Sequence, residues 1–336
     1  MNDLSERLEP YLKSTLPDLD GQMQVVPISG GQSNPTYFVS FGNQSMVLRK
    51  QPNAQLLPSA HAIDREYRVM QALSASEVPV PKMLLYCTDR TIVGTPFYLM
   101  ERLHGRVFPD YALSGMNAVE RRAIYFAMAD AMAGLHTVDW AAIGLSDYGH
   151  AGSYFARQIG RWTRQWAMSC TAANSDVERL IQWLPGHIPD DSETAISHGD
   201  FRLGNLMFHP TEPRLIGVLD WELSTLGHPL ADVAFNCMAW HTLPAEYGGI
   251  RSLDLSALGI PSQDEYLARY CLKARRVNGP EPFHFAFALF RMAVIFEGIA
   301  ARAAAGNATA NNATEVGSLS RMFAKRAVEF IEEASV

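Results

Sequence analysis

The sequence predicts an α+β protein of two lobes, an N-terminal lobe built on an antiparallel sheet and a larger, mainly helical C-terminal lobe. Three observations carry that reading. Residues 1–104 hold several strand-like runs around one long helical pattern, whereas the chain beyond Gly105 is dominated by helical periodicity. The exception is the stretch 196–222, where short apolar runs and loops carry a concentrated set of polar side chains. The division falls at residues 1–103 and 104–336, with the polar stretch expected where the lobes meet around a cleft.

Taken in order, the first segment reads as a helix, followed by strands at 23–29 and 35–41 joined by the turn Gly30-Gly31-Gln32-Ser33-Asn34. A third strand, 45–50, ends at Pro52. Residues 59–74 show helical spacing, with Ala62, Tyr67, Met70 and Leu73 as the inner face and Glu66 among the polar positions. Pro79 and Pro81 stop that helix; strands follow at 83–88 and 96–103, and Gly105 releases the chain. Helices are expected at 117–137, 153–168, 176–184, 229–242, 263–276, 283–304 and 315–333, with 305–314 as a small-residue linker. The most apolar helix, Phe285 to Ile299, is interrupted by Arg291 and Glu297, which marks a buried core helix and not a membrane span.

The bulk properties exclude several function classes. A net charge of −7 argues against a nucleic-acid binder with a broad basic face, yet leaves room for a nucleotide, which needs only local positive charge. Cys87, Cys170, Cys237 and Cys271 have no paired spacing, which disfavours a zinc site or a disulfide framework and fits a reducing compartment. The N-terminus carries acids early and no apolar core segment, so no signal peptide is expected, and the expected location is cytoplasmic.

The segment His198-Gly199-Asp200-Phe201-Arg202-Leu203-Gly204-Asn205, followed by Leu219-Asp220-Trp221-Glu222, carries the chemistry. A phosphoryl-transfer site needs one carboxylate to accept a proton from the attacking hydroxyl, and an amide with a second carboxylate to hold magnesium against nucleotide phosphates. Asp200 fits the base, Asn205 and Asp220 the metal ligands. The alternative, that Asp200 and Asn205 form turns and Asp220 caps a helix, is sufficient for any one of them but not for the ordered set. The backbone of Gly30, Gly31, Gln32 and Ser33, with the Ser33 hydroxyl, can cover phosphates. The strand end Arg49-Lys50 offers a cation for the phosphates and Glu66 a carboxylate to pair with it; strand phase decides which of the two faces inward.

This order of motifs, together with Phe97-Tyr98-Leu99-Met100-Glu101-Arg102-Leu103, resembles the aminoglycoside phosphotransferase-like kinases, relatives of choline kinase and, more distantly, of protein kinases. The resemblance runs from about residue 25 to 330 and is most specific over 197–236. It implies a bilobal protein-kinase-like fold, with the helix at 59–74 in the first lobe and the catalytic loop 197–208, the metal-binding segment 219–222 and a helical acceptor-binding region in the second. It also implies ATP or another NTP, Mg2+ and a small-molecule hydroxyl acceptor, with no nucleic-acid or membrane partner. It puts Arg49 in place of the usual strand lysine, Met100 to Leu103 at the hinge with backbone groups of Glu101 and Leu103 toward adenine, and His198 and Asp232 as support for the catalytic loop. An arginine is not a point-charge copy of lysine, and that is the departure from the pattern.

Within the superfamily, 56–61, 154–159 and 220–229 look closest to the kinase-like domain fused, in some animal proteins, to an acyl-CoA dehydrogenase, which implies a hydroxyacyl-CoA acceptor. No flavin-binding motif is evident. The rival readings are an aminoglycoside-type antibiotic kinase and a nucleotide-binding pseudokinase. Arg157, Arg161 and Arg164 at helical spacing, and the cluster Arg269, Lys273, Arg275 and Arg276, can receive an anionic acceptor; such stripes are more often solvated or paired with acids. Glu329, Glu332 and Glu333 are the candidates for an acidic wall facing a cationic acceptor.

Overall fold

The computed structural model of the chain describes residues 2–28, 34–53, 62–304 and 313–334. It forms two compact units, one of Met1–Gly105 with Ile216–Glu222 and one of Arg106–Leu215 with Leu223–Val336. Ile216–Glu222 therefore counts with the first unit, although the sequence reading placed it in the second lobe. It is tied there by the Val218 amide, which donates to the Pro79 carbonyl at 2.8 Å.

The first unit contains α1 (Asn2–Thr15), β1 (Gln24–Pro27), β2 (Thr36–Ser40), β3 (Ser45–Lys50), α2 (Ile63–Leu73), β4 (Met83–Cys87), the single turn α3 (Arg90–Val93) and β5 (Phe97–Glu101). Its antiparallel sheet has the order β1-β2-β3-β5-β4. Alternation along β3 sends Met46 and Leu48 into a core with Leu8 and Leu12 of α1 and with Val39, Phe97 and Leu99. The opposite phase carries Val47 and Arg49, and Arg49 stands across from Tyr98 in the β3–β5 register.

Among the described residues α2 begins at Ile63, and residues 59–61 of the expected helix lie outside them. Its buried face is Ile63, Glu66, Val69, Met70 and Leu73. Ala62 and Tyr67, expected inside, are half-buried, and the Tyr67 ring stacks on Tyr86 at 5.4 Å. Glu66, expected on the polar face, is buried, for the reason given by its partners below.

The second unit is mainly helical: α4 (Ala118–His136), α5 (Tyr154–Ser169), α6 (Ser175–Trp183), α7 (Pro229–His241), the single turn α8 (Leu255–Leu258), α9 (Gln263–Ala274), α10 (Pro282–Ala304) and α11 (Ala313–Glu333). Each long helix stays within about two residues of its expected span, as boundary assignments ordinarily do. α10 packs against α5, α7 and α11. By length and composition α10 could cross a membrane, but 83% of its most apolar window is buried inside the protein. The short strands β6 (Ala195–Ser197), β7 (Leu206–Phe208), β8 (Leu215–Val218) and β9 (Thr225–Gly227) occupy the irregular stretch. β6 pairs antiparallel with β9, and that ribbon leads into both the 198–205 loop and the start of α7.

Candidate active site

In the second unit the loop after β6 is fastened by a buried carboxylate. Asp232, in the first turn of α7, accepts from the Ser197 hydroxyl at 2.9 Å, the His198 amide at 2.6 Å and the Gly199 amide at 3.0 Å. His136 Nε2 lies 3.5 Å from it, at ion-pair distance. Burial alone would raise the Asp232 carboxyl, but His136, His198 and Ser197 outweigh it and hold the group below the usual carboxylate range. An acid placed here converts three loop donors into charge-assisted bonds and so fixes the backbone ahead of Asp200.

Gly199 carries φ +80°, and a Cβ there would stand 2.7 Å from the Leu223 carbonyl oxygen, so glycine is required. Asp200 follows with its amide donating to His198 Nδ1 at 3.2 Å. Asn205 Nδ2 donates to the Asp200 carboxylate at 2.7 Å and to its carbonyl at 2.9 Å. The loop thus brings the expected base and the expected amide ligand into direct contact. With Nδ2 engaged, Oδ1 is the atom of Asn205 that can serve a hard cation.

Two further loop contacts were not read from the sequence. Arg202 Nε donates to Asp200 Oδ2 at 3.2 Å, with its side chain about a third exposed at 34%. Asn236 Nδ2, buried in α7, donates to the Phe201 carbonyl at 2.9 Å. A cation two residues after the base was visible as a signal, whereas the Asn236 contact spans 35 residues and has no local signature.

In the first unit the question of strand phase is answered. Arg49 faces Glu66, with Nε 3.0 Å from Oε2, and its Nη2 reaches Asp220 Oδ1 at 3.0 Å and Glu222 Oε2 at 3.4 Å. Lys50 points to the other face, where its ammonium donates to the Val93 carbonyl at 2.6 Å; burial pushes its pKa down. Glu66 also accepts from Asn34 Nδ2 at 2.8 Å and from the Tyr98 hydroxyl at 3.0 Å. Burial pushes the Glu66 carboxyl up to about 7 against the pull of Arg49 and the Tyr98 bond. Burial also works against the Arg49 charge, but Glu66, Tyr98, Asp220 and Glu222 outweigh it and hold the guanidinium firmly protonated.

Asp220 has φ +63°, a left-handed conformation that aspartate tolerates better than most residues. Of the expected hinge, Met100 and Leu103 are half-buried and Glu101 is exposed. The Glu101 amide donates to the Lys82 carbonyl at 2.8 Å. Leu103 packs over Gly217, where a Cβ would collide with it. Gly30, Gly31, Gln32 and Ser33 lie outside the described residues.

Several surface charges read as possible acceptor contacts are already engaged within the second unit. Arg157 donates to the Gly152 and His150 carbonyls, Arg161 lies over the Trp162 ring, Arg269 pairs with Asp130 and Arg276 with Glu193. On the acidic side, Glu329 pairs with Arg251 and Arg326, and Glu332 with Arg179.

A model described as the phosphotransferase enzyme family (APH) matches residues 24–270. The chain belongs to that family. Acyl-CoA dehydrogenase family member 10 of Mus musculus is 44% identical over 334 residues, covering 97% of this chain but only 31% of that relative. This phosphotransferase-family chain therefore spans less than a third of that curated relative's length. The crystal structure of a putative aminoglycoside phosphotransferase from Ralstonia eutropha JMP134 aligns with a TM-score of 0.91 at 44% identity, covering 98% of each chain. Aminoglycoside phosphotransferase APH(4)-Ia, solved as a ternary complex with ADP and hygromycin B, aligns at 0.62 and 15% identity over 95% of this chain and 98% of its own. At that identity it shows the fold alone, which is the kinase-like α+β fold expected from the sequence.

Proposed function

We propose that this family member is a magnesium-dependent phosphotransferase that moves the γ-phosphoryl group of ATP to a hydroxyl of a small molecule. The observation that carries the reading is the Asp200–Asn205 contact on a loop braced by Asp232. A carboxylate held this way accepts the proton of the attacking hydroxyl, and the reaction asks little else of the protein beyond positioning and charge neutralisation. Asn205 Oδ1 and the Asp220 carboxylate are hard oxygen donors of the kind magnesium takes, and they are the proposed ligands. Arg49, held by Glu66, is the proposed phosphate contact, with the 30–33 turn over the phosphates and backbone groups of residues 100–103 toward the base. Neighbours solved with ADP support a nucleotide as donor.

For the acceptor we favour a hydroxyacyl-CoA. Relatives named as acyl-CoA dehydrogenase family members match nearly the whole of this chain, and a shared polypeptide is a reason for a shared acyl-CoA substrate. Arg202, in contact with Asp200, suits an anionic or neutral acceptor better than a polycationic aminoglycoside. The test is ATP consumption with magnesium against 3- and 4-hydroxyacyl-CoA thioesters, choline, sugars and aminoglycosides. Asp200→Asn should lower turnover by roughly 100-fold or more while leaving magnesium–ATP affinity within about threefold. Equal turnover in the two proteins would remove Asp200 from the mechanism, and activity confined to aminoglycosides would overturn the acceptor assignment.

A further inference from the structure

Arg291 sits in the middle of α10, a helix otherwise nearly all apolar, and is buried with 7% of its surface exposed. Its Nη2 donates to the carbonyl of Gly199 at 2.5 Å. The guanidinium lies 5.6 Å from the Trp162 ring and 5.3 Å from the Phe235 ring, and among the described residues it forms no ion pair. A buried guanidinium without a carboxylate works against stability, and an apolar side chain of similar length would pack there at less cost. Its contacts indicate what offsets that. The Gly199 amide is held by the Asp232 anion and the Gly199 carbonyl by the Arg291 cation, so both peptide groups beside this left-handed residue are fixed by opposite charges. Asp200 comes next in the chain, and the carbonyl beyond it is held by Asn236.

We propose that Arg291 is a positioning residue for the phosphoryl-transfer base: it pins the Gly199–Asp200 peptide and thereby aims the Asp200 carboxylate. The two aromatic faces hold the guanidinium plane in place without neutralising it, so its charge is available to the carbonyl. The proposal rests on the kinase reading for its effect on rate, but the loop geometry can be tested without any activity.

The experiment compares wild type, Arg291→Met and Arg291→Lys by amide hydrogen exchange over 197–208, by thermal melting and by magnesium–ATP turnover with the best acceptor. In Arg291→Met, exchange in 197–208 should accelerate about tenfold or more, with α4 and α9 unchanged and Tm unchanged or raised, because an apolar chain replaces an unpaired charge. Turnover should fall about 10- to 100-fold in kcat with the KM for ATP within about threefold, since a displaced base costs rate and not nucleotide binding. Arg291→Lys should recover part of both losses. Unchanged exchange in the loop would overturn the proposal whether or not the wild type turns over ATP. A drop in Tm with faster exchange throughout the second unit would also overturn it, by showing a purely structural role. A wild type inactive on every acceptor would count against the kinase reading, and loop exchange would still decide the role of Arg291.

Discussion

Glu66 is a carboxylate pulled in two directions: it is buried, which favours the neutral form, and it faces Arg49 at 3.0 Å, which favours the charged one. Burial prevails and brings its carboxyl up to about 7 from 4.5. The sign of the consequence follows from linkage. A folded-state pKa raised above the unfolded value means that this group's stabilising contribution is complete below about pH 4.5, falls as pH rises toward 7 and is flat above. Glu66→Gln removes the titration while keeping a hydrogen-bonding group for Asn34 and Tyr98. The stability of Glu66→Gln relative to wild type should therefore improve between pH 5 and pH 8, by about 2 kcal/mol at most. Urea titrations at the two pH values check it. A difference that is constant with pH, or that moves the other way, would show that Glu66 stays ionised throughout, held by Arg49.

At the scale of elements, the loop between β6 and β7 depends on one left-handed glycine. Gly199→Ala places a Cβ where the backbone disfavours it and 2.7 Å from the Leu223 carbonyl oxygen. The second unit should lose about 2 kcal/mol, read as a lower urea midpoint with an unchanged slope; a change under about 0.5 kcal/mol would mean that the loop relaxes freely. The same loop shows what a sequence can and cannot convey. Asp200 and Asn205 lie within one short motif, so their roles were legible together, and β3 was legible because Pro52 closes the apolar run Met46-Val47-Leu48. The inner face of α2 was misread because Glu66 counted as an outward polar position, whereas Arg49, Asn34 and Tyr98 hold it on the buried side with Ile63, Val69, Met70 and Leu73. The single turns α3 and α8 are too short to generate a periodic signal. Asn236 and Arg291 act on the loop from 35 and 92 residues away, and inside α7 and α10 they look only like polar interruptions of apolar helices. Contacts of that kind belong to packing and leave no local trace.

At the scale of the whole molecule, 35 acidic against 28 basic side chains give a surface that repels a polyanion, so a nucleotide has to be held by local features. The proposed local features are Arg49 and a magnesium ion on Asn205 and Asp220. A ligand that binds only the folded protein stabilises it by about 2.7 kcal/mol at 100 times its Kd, which for domains of this size corresponds to a rise in Tm of several degrees. Magnesium–ATP should produce that rise. ATP with EDTA should lose most of it, because without the cation the triphosphate brings its full charge against Asp220 and Asn205 offers it nothing. FAD distinguishes this from the dehydrogenase activity for which the Mus musculus relative is named, since this chain covers only 31% of that protein. No shift with FAD is expected. Equal shifts with and without magnesium would overturn the metal assignment of Asn205 and Asp220 while leaving nucleotide binding intact. A shift with FAD and none with magnesium–ATP would overturn the phosphotransferase mechanism itself, because every role assigned to Arg49, Asp200, Asn205 and Asp220 presupposes a bound triphosphate.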